Sequence, residues 1–89
     1  MLEVEFSSSF KRAFRRRITK HPVRVERFWR AVEIFKANPR DPSLRLHKLT
    51  GKLGDLLSFS VEQDLRVVFF FSKENTARFV DIGSHDEVY

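Results

Sequence analysis

The architecture of this chain is written most plainly in LSFSVEQDLRVVFFFSKENTARFVDIG, which runs from Leu57 to Gly83. Leu57, Phe59 and Val61 alternate with Ser58, Ser60 and Glu62, the period-two mark of a strand with one buried face. Glu62-Gln63-Asp64 supplies a turn. Leu65, Val67, Phe69 and Phe71 then alternate with Arg66, Val68 and Phe70. Ser72-Lys73-Glu74-Asn75 reads as a second turn, and Ala77-Arg78-Phe79-Val80-Asp81-Ile82 as a last strand that Gly83-Ser84 ends. Strands joined by turns this short pair antiparallel.

The residues before this meander change period. Leu2, Val4 and Phe6 alternate with Glu3 and Glu5 as one more short strand, and Ser7-Ser8-Ser9 follows with helix-capping side chains. Phe10, Ala13, Phe14 and Ile18 recur at helical spacing, with Lys11, Arg12, Arg15, Arg16, Arg17 and Lys20 filling the other positions. His21-Pro22 breaks that helix and Pro22 opens the next, in which Val25, Phe28, Trp29, Val32 and Phe35 form a stripe ending near Asn38-Pro39. Residues 39–54 read as a long connection pinned to the core by Leu44, Leu46 and Leu49. The order β-α-α-β-β-β predicts an α+β fold, a small antiparallel four-stranded sheet carrying an N-terminal helical hairpin, with residues 1–89 as a single domain. Leu57, Phe59, Val67, Phe69 and Phe79 are expected to pack on Phe10, Phe14, Phe28, Trp29 and Val32.

Composition narrows the function classes. The absence of cysteine removes disulfides and thiolate metal sites and fits a reducing cytoplasm. No signal-peptide pattern and no membrane-length apolar run is present, so no membrane partner is expected. The net charge is +5 and unevenly spread: residues 1–54 hold 14 Lys/Arg against 5 Asp/Glu, residues 55–89 hold 3 against 7. A basic half joined to an acidic one suggests a face built for a polyanion; the plainer reading is a solvated helix surface.

No GxGxxG, P-loop or HExxH motif is present, and the three histidines have no metal-like spacing, so no metal or cofactor is expected. A scattered polar set remains: His47, Lys48, Lys52, Asp64, Arg66, His85 and Tyr89. These positions, in the connection, at a strand start and after the last strand, can converge on one cleft. RNA cleavage through its own 2′-hydroxyl needs such a set: a base, an acid and cations around the phosphate. Each residue also has a plainer role, His47 as loop packing, Arg66 as the partner of Asp64 or Asp81, His85 as a solvated tail and Tyr89 as a packed plug.

Leu46-His47-Lys48-Leu49-Thr50-Gly51-Lys52-Leu53, Ser58-Phe59-Ser60, Asp64-Leu65-Arg66-Val67-Val68-Phe69 and Asp81-Ile82-Gly83-Ser84-His85-Asp86-Glu87-Val88-Tyr89 together resemble toxins of the RelE/ParE superfamily, nearest its YafQ-like branch. The resemblance implies the β-α-α-β-β-β fold, a cytoplasmic toxin of a type II toxin–antitoxin system, and metal-independent cleavage of messenger RNA on the ribosome. The implied partners are a cognate antitoxin, the ribosome and mRNA. The resemblance assigns acid and base roles to His85 and His47, a tuning or orienting role to Asp64, phosphate binding to Arg66 with Lys48 and Lys52, and base stacking to Tyr89. Lys11, Arg12, Arg15, Arg16 and Arg17 would meet ribosomal RNA phosphates. The sequence departs from the branch in having Ser60 where a further histidine stands, and from RelE-type enzymes in having His85 where they use an arginine. The rival expectations are a ParE-like gyrase inhibitor, which needs no histidines, and a non-catalytic nucleic-acid-binding module.

Overall fold

The computed structural model describes residues 1–49 and 55–89. β1 (Glu3–Phe6) passes through Ser7 into α1 (Ser8–Arg17). The Ser7 hydroxyl accepts a hydrogen bond from the Phe10 backbone N–H at 3.0 Å, satisfying one of the donors that a helix start leaves open. α2 (Pro22–Ala37) starts on a proline, where no N–H is needed, and stops at Asn38. A 3₁₀ turn at Pro42–Leu44 precedes β2 (His47–Lys48), β3 (Leu57–Glu62), β4 (Leu65–Lys73), β5 (Thr76–Gly83) and α3 (His85–Val88). Lys52 falls outside the described residues.

The α+β architecture is the expected one, with two differences in the sheet. It has five strands, in the order β1-β5-β4-β3-β2, not four. The additional strand is two residues long, His47 against Ser58 and Lys48 against Leu57, too short to leave a periodic signal. The sheet is also mixed: β1 lies parallel to β5, Glu3–Phe6 against Thr76–Phe79. Parallel neighbours need a long crossover, and everything between these two strands provides it. The second turn is tighter than expected, because β4 runs on to Lys73 through a bulge and only Glu74 and Asn75 reverse the chain. Asn75 takes a left-handed φ of 59°, which asparagine tolerates better than most residues.

The helical hairpin covers one sheet face. Phe28, Phe35, Phe59, Phe69 and Phe79 are fully enclosed there, each contributing about 1.5–3 kcal/mol by burial. Phe35 stacks on Phe59 with centroids 4.7 Å apart and meets Phe69 edge-on at 4.9 Å. Trp29, expected in this layer, is 48% exposed. Phe28, Ala31, Val32 and Phe35 already fill the inward stripe of α2, which leaves position 29 on its flank.

Two departures from regular pairing shape the far end of the sheet. Val68 pairs with Asp81 but Phe69 with Phe79, so Val80 is an extra residue in β5. This bulge puts Phe79 and Ile82, three apart and both fully buried, on the same face. It also turns Asp81 and Gly83 to the other face. Beyond Phe79, β1 has ended and α1 takes over the edge of β5: Ser9 Oγ donates to the Val80 carbonyl at 2.7 Å, and Arg17 Nη1 to the Ile82 carbonyl at 2.9 Å. Among the described residues no helix is long and apolar enough to cross a membrane.

Candidate active site

Leu65 and Val67 point into the core, so the pleat sends Arg66 to the sheet face opposite the hairpin. There it borders a cleft of about 430 Å³ lined by Arg45, Leu46, His47, Arg66, His85 and Tyr89. Four of the residues singled out in the sequence, His47, Arg66, His85 and Tyr89, therefore meet, although they come from β2, β4 and the segment after β5.

Arg66 is held by three residues. Its Nε donates to the Tyr89 hydroxyl at 2.9 Å and to Ser58 Oγ at 3.1 Å, and its Nη2 donates to the Arg45 carbonyl at 2.9 Å. Ser58 and Tyr89 also share a hydrogen bond. Arg45 presents that carbonyl from a left-handed backbone, φ 48°. None of these partners is a carboxylate, and among the described residues no carboxylate lies within ion-pair distance of Arg66. The plainer expectation of a structural pair with Asp64 or Asp81 does not hold: Asp81 pairs with Arg17 at 3.1 Å. Among the described residues nothing bonds to its Nη1, so the guanidinium could take an anion along that edge.

His85 is exposed, as a tail residue would be, but it opens the helical turn α3. Ser84 caps that turn reciprocally with Glu87: Glu87 Oε1 accepts from the Ser84 N–H at 2.7 Å, and Ser84 Oγ accepts from the Glu87 N–H at 3.3 Å. The bond from the Ser84 N–H, with the nearby Arg17 charge adding to it, holds the Glu87 carboxyl below the usual glutamate range. One turn of helix brings the His85 and Tyr89 rings edge to face, 4.5 Å between centroids.

The remaining expected site residues lie elsewhere. Asp64 touches His85 through the backbone N–H, 3.5 Å from Oδ1, and not through the ring. Lys48 is exposed on β2 but is not among the residues lining the cleft. Lys11, Arg12, Arg15 and Arg16 are all exposed on α1 and fall into two rows. Arg12 and Arg16 border a second cleft on the open sheet face, with Val68, Val80 and Val88. Lys11 and Arg15 rim an apolar groove of Phe6, Phe14, Phe28 and Trp29 on the other side. Sequence reasoning missed Ser58 and the Arg45 carbonyl. Ser58 does carry a signal, as a small polar residue alternating with the apolar positions of β3; the carbonyl belongs to backbone geometry and leaves no side-chain signal.

A family profile described as "Bacterial toxin of type II toxin-antitoxin system, YafQ" matches residues 2–89. No curated protein matches the chain in a sequence comparison. Among solved structures, a metal-bound toxin from Helicobacter pylori is 28% identical, with a TM-score of 0.81 and 100% of both chains covered. YafQ from E. coli strain BL21(DE3) is 15% identical, with a TM-score of 0.74 over 100% of this chain and 99% of its own. In the E. coli DinJ-YafQ complex the matching chain is 16% identical, with a TM-score of 0.72 and the same coverage. The last two likenesses speak for the fold alone.

Proposed function

The chain belongs to the YafQ family of bacterial toxins of type II toxin–antitoxin systems, and on that premise we propose that it is an endoribonuclease which cuts messenger RNA on the ribosome in the cytoplasm. The observation that supports this most is the uncompensated Arg66 guanidinium, fixed by Ser58, Tyr89 and the Arg45 carbonyl in a cleft that also presents two imidazoles. A surface that merely adhered to another protein would have no need of that convergence.

In the proposed reaction one of His47 and His85 takes the proton of the 2′-hydroxyl, whose oxygen bonds to the adjacent phosphorus. The P–O5′ bond breaks, and the other imidazole gives its proton to the departing O5′. The products are a 2′,3′-cyclic phosphate and a 5′-hydroxyl. Imidazole suits both steps because one ring nitrogen can accept a proton and a protonated ring can donate one. Arg66 stabilises the five-coordinate phosphorane, and Lys48 and Lys52 are proposed to bind phosphate on the family resemblance. Tyr89 supports Arg66 through its hydroxyl and offers its exposed ring to a flanking base. Asp64 acts through the backbone of His85, fixing the start of α3. The Helicobacter pylori toxin binds metal. The reaction proposed for this chain draws its proton transfers from imidazole and its charge stabilisation from the guanidinium. The E. coli YafQ was solved with DinJ; a cognate antitoxin is proposed for this chain likewise.

The test is to add purified protein to ribosomes translating a defined message and map the cuts. The parental chain should cleave with cyclic phosphate ends. His85→Gln should lose about 10²–10⁴-fold in rate while still binding ribosomes, and Arg66→Ala should lose rate as well. Growth arrest with intact messages and inhibited gyrase would replace this reading with the gyrase one.

A further inference from the structure

The turn that carries His85 and Tyr89 is only four residues long, and a helix that short has almost no stability of its own. Its place over the cleft has to be imposed from outside. Arg17, the last residue of α1, does this from the other side of α3. Its Nη1 reaches Asp81 Oδ1 at 3.1 Å and the Ile82 carbonyl at 2.9 Å, and its Nε lies 3.5 Å from Glu87 Oε2. One guanidinium thus ties the end of α1, the bulged end of β5 and the third residue of α3. The Arg17 side chain is 19% exposed, unlike its cationic neighbours Lys11, Arg12, Arg15 and Arg16. Gly83 leaves it room: a Cβ there would lie 2.8 Å from both Arg17 Nη1 and Glu87 Oε1.

We propose that Arg17 is a positioning residue for the cleavage site: the Asp81–Arg17–Glu87 clasp fixes α3 and so sets His85 and Tyr89 against Arg66. The residue is cationic for this purpose and not for RNA. Its activity arm rests on the nuclease reading above.

Two neutral substitutions of opposite charge change separate the clasp from simple attraction for RNA. Arg17→Gln removes a positive charge and Glu87→Gln a negative one, and glutamine at 87 can still accept from the Ser84 N–H and keep the cap. A clasp predicts that both lower kcat for ribosomal mRNA cleavage about ten- to hundredfold, as small misplacements of reacting groups do, with KM and its salt dependence little changed. Both should also weaken the nuclear Overhauser effects between the His85 and Tyr89 rings. Opposite effects of the two variants on KM, with kcat untouched, would assign Arg17 to RNA binding. Parental turnover, or reduced turnover with the ring-to-ring effects intact, would equally overturn the clasp. Should Arg17→Gln fail to fold, the exposed Glu87→Gln carries the test alone. Should the parental protein cut no RNA, the nuclease reading falls, and the ring-to-ring effects with amide exchange over residues 85–89 still decide the clasp.

Discussion

In the proposed reaction Arg66 has three demands to meet at once: to stay charged, to stay fixed and to stay open to a guest. Charge is permanent in a guanidinium, fixation comes from Ser58, Tyr89 and the Arg45 carbonyl, and openness from the lack of a carboxylate neighbour among the described residues. Arg66→Lys should therefore recover little of the activity that Arg66→Ala removes, since an ammonium cannot reach these partners and a phosphate together; single-turnover cleavage rates of the two variants check this. Ser58 is fully buried and its hydroxyl touches both Arg66 and Tyr89. Ser58→Ala should slow cleavage and cost about 1–3 kcal/mol, because buried polar partners are left short of a bond; chemical denaturation measures the second effect. That Arg66, His47, His85 and Tyr89 could share one cleft was legible in the sequence, because all four are polar side chains set outside the apolar stripes, at places an antiparallel sheet can bring together. Which of them touch could not: Asp64 differs from the expected role only by meeting a backbone N–H in place of an imidazole, a distinction of a few ångströms made by the turn before β4.

At the scale of elements, helices and strands with several periods were legible and short or irregular ones were not. α1, α2 and β3 to β5 follow from their apolar spacing. β2 is two residues long, and the Val80 bulge is silent because valine suits either face. The parallel partnership of β1 with β5 depends on residues some seventy positions apart, beyond any local pattern. α3 did leave a signal, Ser84 three residues before Glu87, but one turn of helix offers no periodicity to confirm it. The carboxyl of Glu87 makes α3 sensitive to acid. Its pKa is lowered in the folded state, chiefly by the Ser84 N–H, so its contribution is present above the ordinary glutamate pKa and lost as pH falls through the lowered one. The groups around it are Arg17, Ser84 and, farther off, Arg24, with Asp81 sharing Arg17. Amide-exchange protection at residues 85–89 should drop at acid pH before the sheet unfolds, and Glu87→Gln should flatten that dependence.

For the whole molecule, one sheet face makes the fold and the other makes the cleft. The aromatic layer around Phe69 and Phe79 belongs to the first; Phe69→Ala should cost about 3–5 kcal/mol, seen as a fall in Tm, whereas Trp29→Ala, on the exposed flank, should cost far less. The exposed cations of α1 lie along the second cleft and around the apolar groove. Reversing Arg12 and Arg16 to Glu should reduce ribosome affinity and lessen its salt dependence by roughly 0.7–0.9 in log–log slope for each phosphate no longer neutralised, with the thermal transition unchanged; equal affinity across salt would remove α1 from the RNA interface. The bulge in β5 also bears on heredity. Because Val80 is the extra residue, with Phe79 opposite Phe69 and Asp81 opposite Val68, deleting its codon would restore plain alternation and leave Ile82 on the core face and Gly83 opposite Arg66. A lineage can therefore shed this one residue and keep the register that sets α3 beside Arg66, a latitude that a strand without the extra residue lacks.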